Sequence, residues 1–141
     1  MARIPDTIRN LINNALADGV PCLLGTVSAD GQPEISPKGS VLVHGDDTLA
    51  YWERSKRGAL RNGQERPRVV VYYRNPAKAE QLPRGAAVRF YGSATVHADG
   101  PERDAVMAKV IEQELKADPE RQGAAVVIKV DRITDLRGED V

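Results

Sequence analysis

Cysteine occurs once in this 141-residue chain, at Cys22. No internal disulfide can form, and a reducing, cytoplasmic setting is the expectation. Net charge is missing too: 20 lysines and arginines balance 20 aspartates and glutamates. Without a basic excess, neither a nucleic-acid partner nor an anionic membrane surface is expected. No apolar run approaches the ~20 residues that span a bilayer. The segment from Met1 to Val20 carries Asp6, Arg9 and Asp18 and lacks the continuous apolar stretch of a signal peptide. Histidine occurs only at His44 and His97, neither with a partner at ligand spacing, so no metal site is expected. There is no Gly-x-Ser-x-Gly elbow and no Walker-type loop. No nucleophile has a nameable base, and Cys22, inside Pro-Cys-Leu-Leu-Gly, reads as a small buried hydrophobe. No catalytic residue is therefore assigned.

What is present suffices for one domain over 1–141, with 41% hydrophobic residues to build a core. Ile4, Ile8, Leu11, Ile12, Ala15 and Leu16 recur at helical spacing before Gly19, which predicts an N-terminal helix within 1–19 packed on a core. Strand patterns follow over 20–28 and 33–43, with Asp30-Gly31 as a two-residue hairpin signal. The second is broken by Ser36-Pro37-Lys38-Gly39-Ser40, which marks an edge, a bulge or a close approach to the backbone. Further strands read over 48–53, 67–74, 86–97 and 124–136. The strand over 67–74 is apolar enough to be buried on both faces or to lie at a dimer contact. Residues 77–85 read as a polar loop. A helix opening at Asp99 to Glu102 has its apolar stripe at Met107, Val110, Ile111 and Leu115 and ends at Asp118-Pro119. The expected fold is mainly β with peripheral helices: a six-stranded antiparallel barrel, since the helices do not alternate with strands as a parallel sheet requires.

The stretch Tyr51 to Gly63 carries the strongest functional signal. It starts as a strand and turns helical at Ser55, a good N-cap. Arg54, Lys56 and Arg57 crowd that start, where the helix dipole is already positive. Cations there are unfavourable by roughly 0.3–1 kcal/mol each. An anion held by the free N–H groups, the hydroxyl and the cations reverses the sign. Phosphate is the obvious candidate, against the plainer reading of a solvated surface helix.

In these segments, taken in order, the chain resembles the flavin-binding split-barrel proteins related to pyridoxamine 5'-phosphate oxidase. LGTVSADGQPEISPKGS is similar to the family's first hairpin, LAYWERSKRGALRNGQERPRVVVYY to its strand, phosphate turn, helix and central strand, and RFYGSATVHADGPE to its Gly-x-Ala strand. The resemblance covers about Val20 to Leu136. It implies bound FMN, with the phosphate at Ser55, Lys56 and Arg57. It places Ser36, Pro37, Lys38, Gly39 and Ser40 along the ring and ribityl chain, largely through backbone atoms, and Trp52 and Glu53 beside the ring. It implies an oxidoreductase moving electrons or hydride to or from a small substrate. It further implies a homodimer with cofactor sites at the interface, for which the Val-Val-Val-Tyr-Tyr strand and Trp52 are reasonable material. A non-catalytic FMN carrier is the alternative, as is a deazaflavin- or haem-binding relative, with His44 or His97 as the haem ligand. Oxidases acting on pyridoxamine 5'-phosphate carry a basic, histidine-containing C-terminal segment, whereas this chain ends in the acidic Arg137 to Val141. That particular activity is not expected.

Overall fold

A computed structural model describes residues 2–55, 61 and 64–141. Its strands are β1 (Cys22–Val27), β2 (Pro33–Lys38), β3 (Leu42–Gly45), β4 (Thr48–Glu53), β5 (Arg68–Arg74), β6 (Ala87–His97) and β7 (Ala124–Thr134). They form a single sheet of seven strands in the order β2-β1-β5-β6-β7-β4-β3, and every pairing is antiparallel. β2 and β3 are the two edges of this sheet, yet they follow one another in sequence. From Lys38 to Leu42 the chain can span at most about 14 Å. In a flat sheet the outer strands would lie about 29 Å apart, six spacings of ~4.8 Å. The sheet must therefore curl until its edges meet, which produces the split barrel.

The sequence expectation of six strands becomes seven because Gly39 to Val41 breaks the returning segment into β2 and β3. The break lets one run of chain serve both sheet edges. The β1–β2 connection also differs from a two-residue hairpin. It spans residues 28–32, closed by Gly31 N–H to the Ser28 carbonyl (2.9 Å) and Gln32 N–H to Ser28 Oγ (3.1 Å). Gly31 adopts φ +84°, the left-handed region this turn needs. β5 is buried on one face only, through Val69, Val71 and Tyr73. The strand buried on both faces is β4, whose residues Leu49 to Glu53 are all buried. Part of the expected 77–85 loop is a short 3-10 helix over Pro76–Gln81.

The barrel interior is packed by Leu24, Leu49, Tyr51, Val71, Phe90, Val126 and Ile128, among others. The N-terminal helix α1 (Asp6–Asn13) closes one end, burying the Ile4, Ile8, Leu11, Ile12 and Ala15 stripe read from the sequence. Its dock is fixed by Ile4 N–H to the Asp46 carbonyl (2.8 Å) and by Asn13 Oδ1, which accepts the Val43 N–H (2.8 Å). On the outer face of β4, α2 (Gly100–Met107) and α3 (Glu112–Leu115) cover a second apolar cluster of Leu42, Ala50, Trp52, Val106, Val110 and Ala125. β6 and β7 approach closely where their register shifts at Gly92. A Cβ there would lie 2.3 Å from the Lys129 carbonyl oxygen, so only glycine fits.

Candidate functional site

The site lies at the seam where the two edges meet. Extending the β3–β4 register past Leu42–Ala50 brings Ser40 opposite Trp52. There the Ser40 hydroxyl replaces a backbone pair. It accepts the Trp52 N–H at 2.9 Å and donates to the Trp52 carbonyl at 3.1 Å. Ser40 is only 4% exposed, so both bonds are shielded from water. Because a side chain satisfies Trp52, the local backbone is released from the ladder. Among the described residues, the N–H groups of Gly39 and Ser40 find no acceptor.

Next to the seam is a cleft of ≈ 270 Å³. Pro37, Lys38, Gly39 and Ser40 form one wall, Trp52, Glu53 and Arg54 the other, with Leu16, Pro21 and Glu114 at the margin. Lys38 Nζ donates to Glu53 Oε2 at 2.7 Å across the cleft, with side-chain exposures of 16% and 5%. The same ammonium lies 5.8 Å from the Tyr51 ring centroid. Glu53 Oε1 accepts the Ser55 N–H at 3.1 Å, so one carboxylate ties β2 to the turn leaving β4. Gly39 leaves room here for the Glu114 side chain, which any larger residue would have to displace. A Cβ at that position would lie 2.1 Å from Glu114 Oε1 and 3.2 Å from Leu16 Cδ2.

Trp52 contributes position rather than an open ring face. Its side chain is buried within its own chain at 3% exposure, which leaves no Trp52 surface for a partner. The indole N–H donates to Asp118 Oδ2 (2.9 Å), which also accepts the Gly123 N–H (2.8 Å), while Oδ1 accepts the Gln122 N–H (3.0 Å). The Arg103 guanidinium stacks 4.8 Å from the Trp52 ring centroid and donates through Nε to the Gly123 carbonyl (3.2 Å). Burial opposes ionisation of Asp118. The Gln122, Trp52 and Gly123 donors, with Arg121 nearby, outweigh it and hold the carboxyl below its usual range.

Of the residues singled out from sequence, Pro37, Lys38, Gly39, Ser40, Trp52 and Glu53 converge on the cleft. Ser36 lies one residue earlier in β2, paired with Leu24, and Ser55 follows β4 at the exposed rim. Lys56 and Arg57 lie outside the described residues. Sequence reasoning missed Leu16, Pro21, Glu114 and Asp118. Leu16 belongs to the apolar stripe of the first helix, so the dock of that helix is the signal that could have found it. Nothing local marks Glu114 or Asp118. The donor set fits a flat, phosphorylated ligand: backbone N–H groups at Gly39 and Ser40 unclaimed among the described residues, strand walls whose Lys38 and Glu53 neutralise each other, and Arg54 with Ser55 toward the rim. The histidines behave differently from free surface groups in one case. His44 Nε2 lies 2.7 Å from Glu102 Oε1, and its Nδ1 accepts from Lys109 Nζ at 3.0 Å, which engages both ring nitrogens. Among the described residues no group of three metal-ligating side chains assembles, and no helix is long and apolar enough to cross a membrane.

Residues 6–136 match the family model described as pyridoxamine 5'-phosphate oxidase. Among solved structures, HupZ of Group A Streptococcus is 26% identical, with 98% of each chain covered and a TM-score of 0.73. An FMN-binding protein from Syntrophomonas wolfei is 19% identical over 93% of this chain and 84% of its own, with a TM-score of 0.69. An F420 reductase is 15% identical over 93% of this chain and 98% of its own, with a TM-score of 0.64. The last two likenesses are of fold. No curated protein matches the sequence.

Proposed function

This chain belongs to the pyridoxamine 5'-phosphate oxidase family, and we propose that it holds FMN in the seam cleft and acts as an oxidoreductase on a small substrate. The observation that carries this reading is the seam itself. A hydroxyl stands in for the backbone at Ser40, continuing the β3–β4 pairing, and leaves the Gly39 and Ser40 N–H groups, on one wall of the cleft, without partners among the described residues. The β4 wall opposite leads directly to Arg54 and Ser55, where the sequence sets its cluster of cations. When bound, FMN supplies the electron or hydride transfer. The chain's residues do the rest. Pro37 to Ser40 and the Trp52–Glu53 strand end bound the ring, and Ser55, Lys56 and Arg57 anchor the phosphate. The Trp52–Asp118 bond fixes the β4 wall against the loop after α3. A homodimer is part of the proposal. Its support is an apolar groove of ≈ 370 Å³ on the outer sheet face, lined by Val27, Ile35, Val70 and Tyr91, with Ile35 74% exposed.

A non-catalytic FMN carrier is the second reading. It is favoured by the engagement of Lys38 and Glu53 with each other, which leaves neither free for acid–base work. A haem held by His44 is disfavoured, because Glu102 and Lys109 already occupy both nitrogens. The test is binding of FMN by the purified protein, read by flavin absorption and fluorescence. A protein that takes up no flavin overturns the proposal.

A further inference from the structure

Glu53, a buried carboxylate of the seam cleft, faces a lysine across the wall that the proposed FMN site uses. We propose that the Lys38–Glu53 pair sets how easily the bound flavin is reduced, with Lys38 favouring reduction and Glu53 opposing it. The inference rests on the FMN reading above. An ion pair buried to this degree brings little net stability, because desolvation offsets the attraction. Its physical consequence lies in the field it creates. In a site shielded from water, each member acts on a nearby charge far more strongly than on a protein surface. Paired at 2.7 Å, the two largely cancel, and the wall presents a dipole. The groups around the pair are few. The Tyr51 ring lies under the ammonium, the Ser55 N–H is spent on Glu53 Oε1, and Arg54 and Glu114 line the same cleft with opposite charge. Among the described residues, Lys38 and Glu53 form their ion pair with each other and with neither Arg54 nor Glu114.

Reduction by dithionite transfers two electrons, with sulfite as the oxidised product, and one proton comes from solvent. The cofactor then carries one more negative charge than before. A bare Lys38 beside it lowers the energy of that charge, and a bare Glu53 raises it. The two single substitutions must therefore act with opposite sign, which a merely structural role for the pair would not produce.

The experiment is the midpoint potential of the FMN-loaded protein, by spectroscopic titration with dithionite, for the wild type, Glu53→Gln, Lys38→Met and the double variant. Glu53→Gln is expected to shift the potential upward and Lys38→Met downward, with the double variant returning close to the wild type. Glu53→Gln keeps the shape of the side chain and one of its two acceptor oxygens, and the double variant buries no charge at this pair. If Lys38→Met does not fold, the upward shift and its reversal in the double variant decide the question. Shifts of the same sign in both single variants, or a Glu53→Gln potential equal to the wild type, overturn the inference while leaving the FMN reading intact. A wild-type protein that retains no FMN removes the reading on which the inference stands.

Discussion

Replacing Ser40 by alanine tests the seam directly. The substitution removes one oxygen and two hydrogen bonds, the 2.9 Å bond from the Trp52 N–H and the 3.1 Å bond to the Trp52 carbonyl. The two bonds contribute about 0.5–1.5 kcal/mol each, and a buried donor or acceptor left without a partner costs about 1–3 kcal/mol. Trp52 is 3% exposed, so water reaches the orphaned groups only from the cleft side. The expected loss for Ser40→Ala is about 2–4 kcal/mol. For a chain of this size 1 kcal/mol corresponds to roughly 2–4 °C, so the melting temperature falls by roughly 5–15 °C. Ser36→Ala is the control, since that neighbouring hydroxyl makes no hydrogen bond among the described residues. Its effect should stay within about 0.5 kcal/mol. Urea unfolding of both variants, followed by circular dichroism with the m-value fitted, gives the comparison. A Ser40→Ala loss below about 0.5 kcal/mol, equal to that of the control, refutes the claim that the hydroxyl holds the chain before β3 to Trp52.

Two further outcomes follow from the buried groups. Burial pushes the Cys22 thiol up to about 12, so Cys22 in the folded protein should resist a thiol reagent at pH 8 and react fully once urea unfolds the chain; rapid labelling without denaturant contradicts this. The carboxyl of Asp118 is held below its ordinary value of about 3.9 in the folded chain, so the unfolded chain binds more protons in the interval between the two values. Its contribution is complete above the ordinary value and is lost as pH falls through the lower, folded one. Asp118→Asn should therefore lower stability at neutral pH and flatten the acid limb of a stability profile recorded between pH 7 and 3. A limb as steep as that of the wild type counts against the assignment.

Much of this architecture is legible where a local pattern coincides with a local cause. The α1 stripe appears in the sequence as a period and in the structure as buried residues, because a helix face depends only on its own spacing. Gly92 is readable as a close approach, since a glycine inside an alternating strand gives up side-chain packing and usually does so where a neighbouring backbone comes near. The broken segment Ser36 to Ser40 is recognisable as irregular, but its division into two strands is not. That division depends on two sheet edges meeting, a consequence of the whole strand order. The same holds for Trp52 and Asp118, whose bond joins residues 66 apart in sequence. Aromatic strand residues announce burial without announcing what buries them. The outer covering of β4 comes from α2, α3 and the loop that follows, none of which is marked locally as its partner.

We propose that the seam cleft and the cations that follow β4 in the sequence hold FMN by its ring and its phosphate. The most direct measurement is a titration of flavin-free protein with FMN and with riboflavin, followed by flavin fluorescence, in the wild type and in a variant carrying Lys56→Ala and Arg57→Ala together. FMN should bind more tightly than riboflavin, and the double substitution should erase that preference, at about 1.5–3 kcal/mol for each charged hydrogen bond removed. A protein that binds neither flavin, or binds both equally with the double variant unchanged, contradicts the claim.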